Sequence, residues 1–172
     1  MMRSQKALKK TAFHEAGHAV EAFMRDVPFR SVTIRPNAES LGRVIFHKLP
    51  RWANPDLEEY NDQRAGKWLE NRTRASLAGQ IAEAIHAGRR PTRYSHSADD
   101  DLAVKFAMEV CGSEEQCSAW LKWLFVATRD HLSLQHVRPA VEALAAELVR
   151  RETISGPEAR RIINAATMPP VR

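Results

Sequence analysis

The chain has 172 residues, 44% of them apolar and 27% charged, which is enough for one soluble domain with a buried core and no need of disulfide staples. Lys and Arg number 26 against 21 Asp and Glu, so the net charge is +5 and the pI about 9.6, a bias toward acidic partners. No window approaches the roughly 18 consecutive apolar residues of a membrane span, MMRSQKALKK lacks the apolar stretch of a secretion signal, and Cys111 and Cys117 form neither a disulfide framework nor a Cys-x-x-Cys pair, so a cytoplasmic location without membrane contact is expected.

Residues 4–25 read as a helix that Ser4 can cap, with Leu8, Ala12, Phe13, Ala16, Val20, Phe23 and Met24 tracing a 3.6-residue period, and Asp26 to Pro28 ending it. Ser31-Val32-Thr33-Ile34-Arg35 and Gly42-Arg43-Val44-Ile45-Phe46 are β-branched runs around the turn-forming Pro36-Asn37-Ala38-Glu39-Ser40, so they read as two antiparallel strands. Helical patterning resumes at Asn54-Pro55 and runs to about Ala87, with a break near Asn61 and Gly88 as its stop. After a loop over residues 88–96, whose Arg89-Arg90-Pro91-Thr92-Arg93 is the densest basic cluster, Ser97 caps a helix with Asp99, Asp100 and Asp101 in its first turn. Three more helices follow, over residues 113–131 behind the capping box Ser113-Glu114-Glu115-Gln116, over 134–151, and over 157–166. In the first of these, Trp120, Leu121, Trp123, Leu124, Phe125 and Val126 suit a core or a subunit interface. The expectation is a mainly α fold forming a single domain over 1–172, with a core of about 8–165, a flexible tail at 167–172 and one small antiparallel sheet.

The chemistry lies in His14-Glu15-Ala16-Gly17-His18. On a helix, positions i and i+4 share a face, so His14 and His18 can aim imidazole nitrogens at one zinc ion. Glu15 then stands beside the metal's open position, where it can take a proton from water and pass it to a leaving amine. Gly17 costs about 1 kcal/mol relative to alanine within a helix and points to a close backbone approach. A catalytic zinc takes three protein ligands. The metzincin continuation is excluded because Glu21 and Met24 stand where Gly and His are needed, and Glu39 lies in the turn between strands rather than on a following helix.

The run Thr11-Ala12-Phe13-His14-Glu15-Ala16-Gly17-His18-Ala19-Val20 resembles the zinc-binding helix of the peptidase domain in the FtsH family of AAA+ proteases. In the same order, Val32-Thr33-Ile34-Arg35-Pro36 with Leu41-Gly42-Arg43-Val44 is similar to that family's strand pair, and Leu77-Ala78-Gly79-Gln80-Ile81-Ala82-Glu83 to its Leu-x-Gly-Arg-x-Ala-Glu-Glu helix. Ala98-Asp99-Asp100-Asp101-Leu102 resembles its Ser-Asn-Asp-Leu element, and residues 148–156 its C-terminal end. The resemblance implies a helical metallopeptidase domain with its sheet beside the zinc-binding helix, and a third zinc ligand at Asp101, with Asp99 and Asp100 as alternative registers. Gln80 and Ala84 replace an arginine and a glutamate of the family pattern, so support around the metal is lost or reassigned.

No Gly-x4-Gly-Lys-Ser/Thr phosphate loop occurs, so ATP-driven unfolding is not expected of these residues, and a separate ATPase or adaptor is a candidate partner. The expected activity is zinc-dependent peptide hydrolysis with Glu15 as general base, on peptides or unfolded proteins. Gly42, Arg43, Val44, Ile45 and Phe46 are candidates to pair with an extended substrate through the strand backbone. Homo-oligomerisation is compatible with the sequence. The alternatives are a non-catalytic zinc-binding interaction or regulatory module, which the intact Glu15 argues against, and a nucleic-acid factor, for which no recognition motif is present. Of the remaining histidines only His96, near the aspartates, lies close to the expected centre.

Overall fold

The computed structural model describes residues 4–54, 57–58, 62–92 and 97–167. Their chain order is α1 (Gln5–Met24), β1 (Phe29–Thr33), β2 (Arg43–Phe46), a 3-10 turn (Arg51–Ala53), α2 (Asp62–His86), α3 (Ala98–Val110), α4 (Glu114–Leu132), α5 (Arg138–Arg151), β3 (Thr153–Ser155) and α6 (Gly156–Thr167). The expected mainly α architecture with a small antiparallel sheet is what forms. His96 and Arg93 lie outside the described residues.

Helix α1 is the axis of the molecule. Ser4 starts it by accepting the Ala7 N–H at 3.2 Å. From Glu15 to Ala22 every residue is buried, because α2 packs on one side, α5 on another and β1 behind. Such enclosure requires small residues, and Ala12, Ala16, Ala19 and Ala22 supply them at 0% exposure. A Cβ on Gly17 would lie 2.5 Å from Ala82 Cβ and 2.7 Å from the Ala78 carbonyl oxygen, so this glycine is where α1 and α2 touch.

The sheet has three strands in the order β2-β1-β3, both pairings antiparallel, with Val32 opposite Val44 on one side and Ile154 on the other. The third strand was not foreseen. It is only three residues long, and its partner lies about 120 residues away, beyond any local pattern. Gly156 follows it, and a Cβ there would collide with the Phe29 carbonyl. Since β1 is paired on both edges, β2 is an edge strand.

Two helix starts differ from the expectation. Asn54 has extended angles (φ −94°, ψ 113°), closing the 3-10 turn rather than opening a helix, and α2 begins at Asp62, just past the expected break. Residues 134–137 are turns, and α5 starts at Arg138, which puts Pro139 in the first turn, where a missing N–H is harmless. The stop at Gly88 forms as expected, with φ of 65°. On α4, Leu121, Leu124 and Phe125 enter the core, whereas Trp123 is 54% exposed. No helix among the described residues is long and apolar enough to cross a membrane.

Candidate functional site

The one-turn spacing of His14 and His18 brings their Nε2 atoms within 3.0 Å of each other. The Oδ2 of Asp99 stands 3.1 Å from His14 Nε2 and 3.3 Å from His18 Nε2. These three potential ligand atoms all lie within 4.8 Å of one another. Two imidazoles and a carboxylate are a donor set that suits a divalent transition metal, and the group can hold a metal ion.

Asp101, the expected third member, is not there. Ser97 is the N-cap of α3 and fixes the register: its side chain accepts the Asp100 N–H at 3.2 Å, so Asp99 occupies the second helical position. Two residues further on the helix has turned about 200°, which carries Asp101 to the exposed side. Asp100 accepts a hydrogen bond from Gln80 Nε2 at 2.8 Å, tying the start of α3 to α2. The glutamine that departs from the family's arginine is thus reassigned to positioning the aspartate turn.

Support around the histidines comes from α2, which runs antiparallel to α1. His18 Nδ1 donates to the Ala75 carbonyl at 2.7 Å, and this leaves the Nε2 lone pair facing His14 and Asp99. Behind His14, the Glu83 carboxylate stands 3.6 Å from Nδ1 and is held by Lys10 at 3.5 Å and Arg89 at 3.2 Å. Gly79 makes the space: a Cβ there would lie 2.8 Å from His14 Nε2 and nearer still to His18 Nε2. Gly79 and Glu83 belong to the family-like motif of α2, but nothing in that motif alone assigns either a role. Glycine spacing against a neighbouring helix becomes readable only once the helices are packed.

Charge follows from this crowding. Burial opposes a charge on His14, but hydrogen bonding to Asp99 and Glu83 and the charge of Glu15 outweigh it and push its pKa up to about 10. Burial likewise works against ionised Asp99, yet the neighbouring His18 and His14 hold it well below the usual carboxylate range. Burial dominates at Glu15 and raises its pKa, with the two histidines acting in the opposite direction. A pocket that favours positive charge between carboxylates, and crowds two imidazoles into a space only glycine leaves open, fits a cation.

The strand β2 begins directly over Glu15. A Cβ on Gly42 would lie 2.8 Å from both Glu15 Cγ and Oε1. Of the five residues expected to face substrate, Val44 and Phe46 pack against the core, and Phe46 lies under the Arg72 guanidinium at 3.5 Å. Ile45 is 38% exposed.

A model of Peptidase family M41 matches residues 1–109. The chain is 28% identical to ATP-dependent zinc metalloprotease FtsH of Opitutus terrae, over 92% of this chain and 29% of that protein. It is also 28% identical to ATP-dependent zinc metalloprotease FtsH 1 of Symbiobacterium thermophilum, over 90% and 28% respectively. A third relative, ATP-dependent zinc metalloprotease FtsH 3 of Conexibacter woesei, is 34% identical over 51% of this chain and 11% of its own length. The chain therefore spans less than a third of these curated relatives. Both histidines, Glu15 and Asp99 fall inside the matched span, and the chain belongs to peptidase family M41, a zinc metallopeptidase family.

Proposed function

We propose that His14, His18 and Asp99 hold a zinc ion and that the chain hydrolyses peptide bonds with Glu15 as general base. The convergence of three ligand atoms from α1 and α3 beside a buried glutamate on the same helix carries this reading. When bound, zinc supplies Lewis acidity, which makes water acidic near neutral pH and polarises a carbonyl. Glu15 receives the proton from the attacking water and returns it to the leaving amine. Its burial raises its basicity, which suits a group that must take up a proton and release it within one turnover. His18 is kept in the productive tautomer by Ala75, and Glu83 braces the far nitrogen of His14.

The edge of β2 that pairs with no other strand among the described residues is the natural place for an extended polypeptide, which would pair with its backbone and bring a peptide bond past Gly42 to Glu15. Backbone pairing recognises an unfolded chain with little regard to side chains. Peptides, flexible termini and unfolded proteins are therefore the proposed substrates, with delivery of folded targets left to a separate ATPase or adaptor. The test is cleavage of unfolded casein by the zinc-supplied chain and by Glu15→Gln. Glu15→Gln should retain the metal and lose at least about 100-fold in rate. Equal cleavage by both would remove Glu15 from the mechanism, and stoichiometric zinc without cleavage in either would favour a zinc-binding interaction module.

A further inference from the structure

Arg72 of α2 is a buried cation with no carboxylate partner among the described residues. Only 8% of its surface is exposed, and its Nη1 is enclosed without a hydrogen-bond acceptor. Burial pulls its pKa down to about 10, and no described carboxylate acts against that. The guanidinium lies 3.5 Å from the ring centre of Phe46, 5.5 Å from that of Phe106 and 5.8 Å from that of Trp68. All three rings are half-buried, so the box they form reaches the surface. The Nε1–H of Trp68 is a second enclosed donor without an acceptor. Aromatic faces attract a guanidinium but leave the N–H groups in its plane unmet, and an enclosed charge with no opposite charge is costly. Two stranded donors in one aromatic box are the complement of a carboxylate, which accepts through two oxygens.

Three elements place this box in line with the candidate centre. On α2, Arg72 and Gly79 are seven residues apart, which is two turns on one face and about 10 Å along the axis, and Gly79 packs on His14 and His18. On α3, Asp99 and Phe106 have the same spacing, and Asp99 meets those histidines. At β2, Gly42, Val44 and Phe46 alternate onto one face, with Gly42 over Glu15 and Phe46 against Arg72, about 13 Å apart along the strand. Each of the three thus has one residue at the centre and one at the box. An extended polypeptide lying along β2 covers that span in about three or four residues.

We propose that Arg72 and Trp68 bind a carboxylate, supplied by a polypeptide held along β2 from a residue three or four positions from the cleaved bond. The polypeptide as source rests on the peptidase reading. The carboxylate site itself does not, because a small free acid offers the same group.

Two peptides that differ only in Glu or Gln at the third and fourth residues on both sides of a central bond would be compared by fluorescence anisotropy on zinc-supplied Glu15→Gln. The Glu peptide should bind about 10–100-fold tighter, the range of a charged hydrogen bond shielded from water. Its advantage should persist at about 0.5 M salt, since enclosed pairs are little screened. Adding Arg72→Met should abolish the advantage, and adding Trp68→Phe, which keeps a ring and removes the N–H, should reduce it. Arg72→Met removes an unpaired buried charge and keeps a flexible stem beside Phe46, so its Tm should not fall; if it fails to fold, Trp68→Phe decides alone. Acetate provides the second arm. Equal affinity for the two peptides, with a saturable rise of Tm in acetate over matched chloride that Arg72→Met lacks, would assign the site to a free acid and overturn the polypeptide as source. Equal affinity with no such rise, or a Glu advantage that survives both substitutions, would overturn the site. The two readings fail separately: a Glu preference in binding with no cleavage of either peptide by the unaltered chain would remove the peptidase and leave the site, whereas equal binding and equal cleavage of both would leave the peptidase without this subsite.

Discussion

The juxtaposition of His14 and His18 was legible in the sequence because their spacing is a property of a single helix, and one turn of helix suffices to bring them together. Which aspartate joins the two histidines was not, because three adjacent aspartates carry the same chemistry and the Ser97 cap sets which of them faces the histidines. Gly79 shows the same limit, since its importance is the space it leaves for imidazoles of another helix. Gly79→Ala should therefore displace a histidine and weaken zinc affinity about 10–100-fold, measurable by competition with a chromogenic chelator. Unchanged affinity would mean that the histidines are not confined there.

Helix existence was read well, while helix starts and the third strand were not. Amphipathic periodicity survives in the interior of an element, whereas starts depend on local competition such as the extended conformation of Asn54 or the placement of Pro139. β3 is made by pairing with β1, and three residues carry too little pattern to announce it. The α1–α2 contact allows opposing effects to be weighed. Gly17→Ala gains about 1 kcal/mol of helix propensity, but the new methyl would press on the Ala78 carbonyl at 2.7 Å, and overpacking of this kind costs about 1–3 kcal/mol. The backbone cannot swing aside as a flexible side chain would, so net destabilisation is expected in thermal denaturation of the variant. A rise in Tm would show that the helices can separate without cost.

Three helices are tied together by Glu21, which is fully buried on α1 and meets Arg74 of α2 at 2.9 Å, Arg25 at 3.0 Å and His131 of α4. Burial alone would push this carboxyl up; the hydrogen bond to His131 and the charges of His131, Arg74 and Arg25 bring it below its ordinary 4.5. A depressed folded pKa means the stabilisation is fully present above about pH 4.5 and is lost as pH falls through the folded value. Acid should thus loosen α1, α2 and α4 together. Glu21→Gln should lower stability at pH 7 by about 3–5 kcal/mol, since it strands buried Arg74, and should flatten the loss of Tm between about pH 5 and 3. An unchanged acid slope would remove Glu21 from that transition. The whole assembly serves to bring one end of α3 against one face of α1, which makes the metal the sharpest probe of the account. The decisive measurement is zinc content by elemental analysis of the untagged chain, Asp99→Ala and Asp101→Ala after zinc supply and dialysis. About one zinc per chain in the first and third, with most of it lost in Asp99→Ala, is the predicted result; loss in Asp101→Ala with retention in Asp99→Ala, or no zinc in any, would contradict it.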